Sequence, residues 1–76
     1  MQTQLEILGF DRVGFVHEVS ETVAQYGHIE GATFEADGVR SVGKLRLQLE
    51  NEERLNRLIV RLKTIVGLVK VTLTIT

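Results

Sequence analysis

Apolar and polar residues alternate at the start of the chain and then change period. In TQLEIL, residues 3–8, every second residue is apolar, which predicts a half-buried strand. From Gly14 to Tyr26 the apolar residues recur at helical spacing, which predicts an amphipathic first helix. Gly27 follows, and we expect it to end that helix as a C′ glycine.

Two further alternating segments flank the dipeptide Asp37-Gly38, a strong signal for a β-hairpin. A two-residue turn at this dipeptide would set Ile29 opposite Arg46 and break the apolar face. A three-residue loop through Val39, or a bulge at Gly43, would restore the pattern. We expect one of these two irregularities, which would bring together on one side Ile29, Gly31, Leu45 and Leu47.

A second helix and a fourth strand follow the hairpin. Asn51 is suited to the N-cap, and the acidic residues 52–53 favour the positive end of a helix. Apolar residues then repeat at helical spacing from Leu55 to Val66. We expect Gly67 to close this helix, and the alternation of VKVTLTIT, residues 69–76, predicts the last strand.

The order strand, helix, strand, strand, helix, strand predicts an α+β domain of the ferredoxin-like βαββαβ plan. Right-handed crossovers would place both helices on one face of a four-stranded antiparallel sheet. We expect a single domain over residues 1–76. Its predicted core comprises Leu5, Ile7, Val19, Val23, Ile29, Leu45, Leu47, Leu55, Leu58, Leu62, Val69, Val71 and Leu73.

The uncovered face of the predicted sheet carries an apolar cluster. Phe34 and Val42 are expected to project there, beside Leu8 and Ala36. Such a cluster on a polar face indicates a subunit or partner contact. The alternative is that two apolar residues are simply exposed.

The small size of the chain favours self-association. A domain of 76 residues buries only about 60% of the surface that its unfolded chain exposes. The sequence contains no cysteine, so neither a disulfide nor a thiolate metal site can add stability. We therefore expect a homodimer or a higher homo-oligomer.

Charge and hydropathy argue against two classes of partner. The formal net charge of −1 lacks the basic excess that binding to nucleic acid requires. No apolar run approaches the roughly 20 residues of a membrane span, and the N-terminus does not resemble a signal peptide. We expect a cytoplasmic protein that binds neither nucleic acid nor membrane.

The sequence offers no convincing catalytic or metal site. Ser20 and Ser41 lack the Gly-x-Ser-x-Gly turn that exposes a nucleophile. His17 and His28 are far apart in the chain, and His17 is placed to pair with Glu21. The arginines of the second helix fit a solvated face better than an anion site. We expect no cofactor and no enzymatic activity.

Two other functions of ferredoxin-like folds fit poorly. RNA-recognition modules stack bases on aromatic residues of the open sheet, where only Phe34 is expected here. FDRVGF, residues 10–15, is superficially similar to the phosphate loop of acylphosphatases. However, it has fewer glycines, and Asn51 and Asn56 lie in the wrong region to assist it.

Four features occur in order along the chain: Asp11-Arg12-x-Gly14 at the start of the first helix, Gly27 and Ile29 before strand two, Asp37-Gly38, and a closing Leu-x-x-Leu…Ile-x-Gly-x-x-x-Val pattern. Together they resemble the ACT domain family over essentially the whole chain. The first helix and the closing pattern are also similar to the C-terminal ACT modules of bacterial alarmone synthetase/hydrolases. Such modules are normally part of a longer chain, so this similarity implies a catalytic domain elsewhere in it.

The resemblance implies a regulatory domain that binds an amino acid between two copies of itself. The first helix would supply amide groups for a carboxylate, and Gly14 would allow close approach. The implied contacts from one copy are Asp11, Arg12, Val13, Gly14 and Phe15. Those from the start of strand two in the other copy are His28, Ile29 and Glu30.

Two residues depart from the family pattern. Val13 stands where many members have proline, and His28 replaces a small or amide side chain, so the sequence does not name the ligand. Some ACT domains bind no ligand and only associate subunits. The alternative function is therefore a ligand-free association module, joined through the edge of strand two or face to face through Phe34 and Val42.

Overall fold

The predicted order of helices and strands is confirmed. A computed structural model describes residues 1–75, so the predicted end of the last strand at Thr76 lies outside the described residues. The elements are β1 (Gln2–Phe10), α1 (Phe15–Ala24), β2 (His28–Ala36), β3 (Arg40–Gln48), α2 (Glu52–Leu62) and β4 (Leu68–Ile75).

The strands form one antiparallel sheet in the order β2-β3-β1-β4. β1 is central, and its register sets Leu5 opposite Leu45 on one side and Leu73 on the other. Side chains alternate across a strand, so this register collects the apolar residues on a single face. Both helices cover that face, which gives the predicted ferredoxin-like α+β fold.

The core lies between this face and the two helices. Among residues 1–74, twelve apolar side chains are buried there, whereas Ile29, Phe34 and Val71 pack against them only partly buried. The buried set is Leu5, Ile7, Phe15, Val19, Val23, Leu45, Leu47, Leu49, Leu55, Leu58, Leu62 and Ile65.

Two predicted core residues of β4 are exposed. Val69 is 57% exposed and Leu73 is 37% exposed. β4 is an edge strand, so only one of its sides has a neighbouring strand to cover it. The pairing with β1 also shifts between Leu8 and Gly9, which leaves Val69 without a partner in the register.

The irregularity of the hairpin lies within β2, so both predicted alternatives, a three-residue loop and a bulge at Gly43, are wrong. β2 ends at Ala36 and β3 begins at Arg40. Ala36 pairs with Ser41, whereas a three-residue loop would pair it with Arg40. Ile29 lies opposite Leu47 because the register shifts between Ile29 and Gly31 rather than at Gly43. Gly31 is consequently opposite Arg46 on the open face, and its predicted position on the apolar side is wrong.

Phe34 does not lie on the open face, so its predicted position is wrong. It is opposite Gly43 on the face covered by the helices and packs against the core. A Cβ added to Gly43 would lie 2.4 Å from Phe34 Cε1, which means that the ring occupies the space above this glycine. The register shift in β2 turns Phe34 inward. Val42 remains on the open face, opposite Leu8 and Glu35.

The start of α2 and the end of α1 are stabilised by different contacts. Asn51 caps α2 as predicted, because its side-chain oxygen accepts a hydrogen bond from the Arg54 N–H at 2.9 Å. Gly27 does not have the left-handed conformation of a C′ glycine, so that prediction is wrong. A Cβ there would lie 2.6 Å from Leu49 Cδ2, and glycine is therefore required by close packing. Arg54 instead donates to the carbonyls of Tyr26 and Gln25 at the end of α1.

The position of Phe34 generates a testable prediction. Gly43→Ala should destabilise the protein by about 1–3 kcal/mol in denaturant unfolding, because the new methyl group displaces a packed ring. Gly31→Ala is the matched control, since its methyl group would meet only the flexible end of Arg46 and should cost less.

Combining Gly43→Ala with Phe34→Leu should give a loss smaller than the sum of the two single losses, since each change relieves the other. If the losses of unfolding free energy add strictly, or if the two glycine substitutions destabilise the protein equally, the Phe34 ring does not lie over Gly43.

Candidate functional site

The loop that joins β1 to α1 leaves the start of the helix uncapped by any side chain. Gly14 holds the N-cap position with φ 82° and ψ −2°, and within residues 1–75 no side chain accepts a hydrogen bond there. α2 differs, because Asn51 fills that role. The first amide groups of a helix have no carbonyl four residues earlier within it, so those of Val16 and His17 are available to an acceptor.

The first residue of α1 anchors the helix to the sheet. Phe15 is 1% exposed, and its ring lies over Gly9 near the end of β1. A Cβ added to Gly9 would lie 2.3 Å from Phe15 Cζ and 3.0 Å from the carbonyl oxygen of Gly67. The absence of a side chain at Gly9 therefore lets the aromatic ring fix where the helix begins.

Arg12 contacts three different parts of the chain. Its Nε donates to the Val66 carbonyl oxygen at 2.8 Å, Nη1 donates to the Val13 carbonyl oxygen at 3.2 Å, and Nη2 donates to Glu18 Oε2 at 2.6 Å. The guanidinium carbon is 5.7 Å from the centre of the Phe15 ring, within the range of a cation–π contact. Arg12 thus joins the loop, α1 and the segment before β4.

Backbone hydrogen bonds join the same loop to two other connections. The Phe10 N–H donates to the Gly67 carbonyl oxygen at 2.8 Å, and the Asp11 N–H donates to the Val39 carbonyl oxygen at 3.0 Å. Sequence analysis missed Val39, Val66 and Gly67 as parts of this site. No sequence spacing indicates a contact such as that between Arg12 and Val66, which are 54 residues apart.

Exposed apolar side chains cluster around the loop, and we call them the apolar ring. Val13 is fully exposed, and Val66 is 74% exposed. The hydrogen bonds of residues 10–12 hold these segments side by side. Exposed apolar patches of this kind mark surfaces that contact a ligand or a protein. The ring consists of Phe10, Val13, Val16, Val39 and Val66.

The predicted contacts from strand two lie at the other end of the sheet. His28 is opposite Gln48, which is opposite Gln2 at the start of β1, whereas the Asp11–Phe15 loop follows the end of β1. Eight residues of a strand span roughly 26 Å. One copy of the chain therefore does not bring the two groups together. Ile29 is half-buried against the core, and Glu30 Oε1 accepts a hydrogen bond from Gln2 Nε2 at 3.1 Å.

The hairpin turn beside the loop contains a perturbed carboxylate. Asp37 Oδ1 accepts hydrogen bonds from the N–H groups of Arg40 at 2.7 Å and Val39 at 2.9 Å. These donors favour the ionised form and hold the pKa of Asp37 below its ordinary value of 3.8. The turn positions Val39, whose carbonyl oxygen accepts a hydrogen bond from the Asp11 N–H.

Other polar groups form ordinary surface contacts. His17 Nε2 lies 3.0 Å from Glu21 Oε2, the predicted pair, and Arg57 pairs with Glu53 at 2.8 Å. Over the described part of the chain, no three His, Asp or Glu side chains converge to hold a metal ion. No helix among these residues is long and apolar enough to span a membrane.

Comparison with known proteins identifies the family. A family model described as the ACT domain matches residues 1–72. The chain belongs to the ACT domain family. ACT domains are regulatory modules, as the resemblance in the sequence implied. No curated protein sequence matches the chain.

Solved structures share the ACT fold over nearly the whole chain. The ACT domain of GTP pyrophosphokinase from Chlorobium tepidum has a TM-score of 0.89 at 17% identity, covering 97% of each chain. A homoserine dehydrogenase from Thiobacillus denitrificans has a TM-score of 0.78 at 16% identity, covering 95% of this chain and 16% of that one.

The ligand-free regulatory subunit of aspartate kinase from Thermus thermophilus has a TM-score of 0.66 at 18% identity, covering 95% of this chain and 49% of that one. At these identities the likeness shows the fold alone.

The Asp37 turn generates a prediction about pH. Its lowered pKa means that the turn adds stability above pH 3.8 and loses it as the pH falls through the folded-state pKa. Asp37→Asn removes this titration, so the difference in unfolding free energy between the unaltered protein and the variant should shrink as the medium is acidified.

Denaturant unfolding across this pH range measures the difference, and NMR titration of the Asp37 carboxyl measures its pKa. A difference that stays constant below pH 3.8 would contradict the two backbone hydrogen bonds.

Proposed function

We propose that this ACT domain binds a small carboxylate-bearing metabolite, an amino acid, between two copies of the chain and transmits its presence as an allosteric signal. One observation carries the proposal: within residues 1–75, no side chain caps the first amide groups of α1, whereas Asn51 caps α2. Membership of the ACT family supports a regulatory rather than a catalytic role.

The chemistry of the loop suits a carboxylate. Unpaired N–H groups and the positive end of the helix dipole both favour an anion at the start of α1. A Cβ added to Gly14 would meet no atom within 4 Å, so the space beside this residue is open to a ligand. The proposed contacts from this copy are backbone groups of Asp11, Arg12, Val13, Gly14 and Phe15.

A second copy is needed because the two proposed groups of contacts are at opposite ends of one sheet. β2 is an edge strand, and antiparallel pairing of two β2 strands about Ala32 would set His28 of the second copy beside Ala36. Ala36 leads into the turn whose Val39 bonds to the loop. This arrangement supports His28, Ile29 and Glu30 as the contribution of the second copy.

Thermodynamic linkage between ligand binding and the pairing of two copies would turn binding into a signal. A ligand held only between two copies stabilises that pairing by RT ln(1 + [L]/Kd) and leaves other arrangements unaffected. In a longer polypeptide, the same shift would change how an attached catalytic domain is positioned.

The second candidate is a ligand-free association module. The apolar ring favours it, because five exposed apolar side chains fit a protein surface as well as they fit a small molecule. The inward position of Phe34 weakens the face-to-face version through Phe34 and Val42 and leaves the β2 edge as the better route.

A thermal-shift screen of the twenty amino acids separates these two candidates. One or two amino acids at about 100 times their Kd should raise the melting temperature by about 10–20 °C. Gly14→Val should abolish the shift, because a β-branched residue at φ 82° strains the loop and its side chain enters the open space.

Gly14→Asn is the matched control, since asparagine tolerates the left-handed conformation and should retain a reduced shift. Sedimentation analysis gives the oligomeric state in parallel. A flat screen with an intact dimer would instead support the association module.

A further inference from the structure

We propose that Arg12 is a positioning residue rather than a ligand contact, and that it couples the β1–α1 loop to the segment that leads into β4. This inference rests on the proposed function, because the geometry that Arg12 maintains is that of the proposed carboxylate site. It differs from what the family resemblance implies, in which Arg12 is one of the residues that contact the ligand.

The first argument is that the guanidinium is already engaged within the chain. Each of its three nitrogens donates a hydrogen bond, to Val66, Val13 and Glu18 respectively. Three of the five guanidinium N–H groups are thus engaged, and the two that remain, one on each Nη, could bind a carboxylate only beside these partners. Charge competition is strongest at Nη2, where Glu18 lies 2.6 Å away.

The second argument concerns what the contact with Val66 does. Two successive carbonyl oxygens receive hydrogen bonds from the loop region, that of Val66 from Arg12 and that of Gly67 from the Phe10 N–H. Gly67 has φ 91°, a conformation that favours glycine, and it lies directly before β4. Because of these two hydrogen bonds, a movement of the loop would displace the first residue of β4.

The third argument is that lysine cannot replace this residue. The planar guanidinium reaches a carbonyl and a carboxylate in different directions while it lies over the Phe15 ring. An ammonium group is a compact charge on a flexible stem and cannot fill these positions together. Arg12→Lys therefore keeps the positive charge and removes the geometry of the guanidinium, so the two contributions can be measured separately.

The affinity of the amino acid found in the thermal-shift screen gives the first test. A positioning role predicts that Arg12→Lys and Arg12→Gln both weaken binding by about ten-fold, with no rescue by the retained charge. A direct charge contact predicts instead that Arg12→Lys binds nearly as well as the unaltered protein, and this result would overturn the proposal.

Glu18→Gln distinguishes the two roles most sharply. If Arg12 positions the loop, weakening its contact with Glu18 loosens the site and lowers the affinity. If Arg12 contacts the ligand, the same change releases the guanidinium and removes a nearby negative charge, so the affinity rises. A higher affinity in Glu18→Gln would therefore count against positioning.

Hydrogen exchange on the free protein tests the coupling without any ligand. Arg12→Gln should accelerate exchange of the Phe10 and Leu68 amides by about ten-fold, while the Leu45 amide in central β3 reports global stability and changes less. Arg57→Gln is the matched control, because it removes only the exposed pair with Glu53 and should leave Phe10 and Leu68 unchanged.

Equal acceleration at Phe10, Leu68 and Leu45 would show a global loss of stability and overturn the coupling. If no amino acid stabilises the unaltered protein, the proposed function fails, whereas the exchange experiment still decides whether Arg12 links the loop to β4.

Discussion

The contact between the Phe15 ring and Gly9 determines how the proposed binding end of this protein is built. The ring is buried, and there is no room at Gly9 for even a methyl group. Because Phe15 is the first residue of α1, the position of its ring sets the position of the first helical amide groups. Arg12 then lies over the same ring and extends to the segment before β4, so loop, helix and sheet meet around one aromatic side chain.

The two helices divide stability and proposed function between them. α2 begins with an asparagine cap and two acidic residues, and its Arg54 also satisfies carbonyls at the end of α1. These contacts satisfy polar groups within the chain, as the stability of a small domain requires. α1 begins at a glycine with no side-chain cap and with an apolar ring around it. A helix start that lacks a stabilising cap, in a fold whose other local features favour stability, is typical of functional sites.

Particular residues show how far sequence reasoning reaches. The helical period and the Asn51 cap of α2 can be predicted from the sequence because they depend on neighbours three or four residues away. The sequence pattern predicts the wrong face for Phe34 because a single register shift at Ile29 and Gly31 reverses every side chain beyond it, and the sequence indicates only that some irregularity is needed. The alternation around Val69 and Leu73 predicts a buried strand, yet their exposure depends on the order of strands in the sheet.

By itself, the sequence determined the order of elements, the apolar faces of β1, β3 and the two helices, the presence of the hairpin and the family, because periodicity and turn chemistry act over short distances along the chain. Only the tertiary structure decided the surroundings of the loop: Arg12 on the Val66 carbonyl, Phe15 over Gly9, and His28 at the far end of the sheet. Such contacts join residues that are distant in sequence, and their geometry follows from register and packing, which no local pattern of residues specifies.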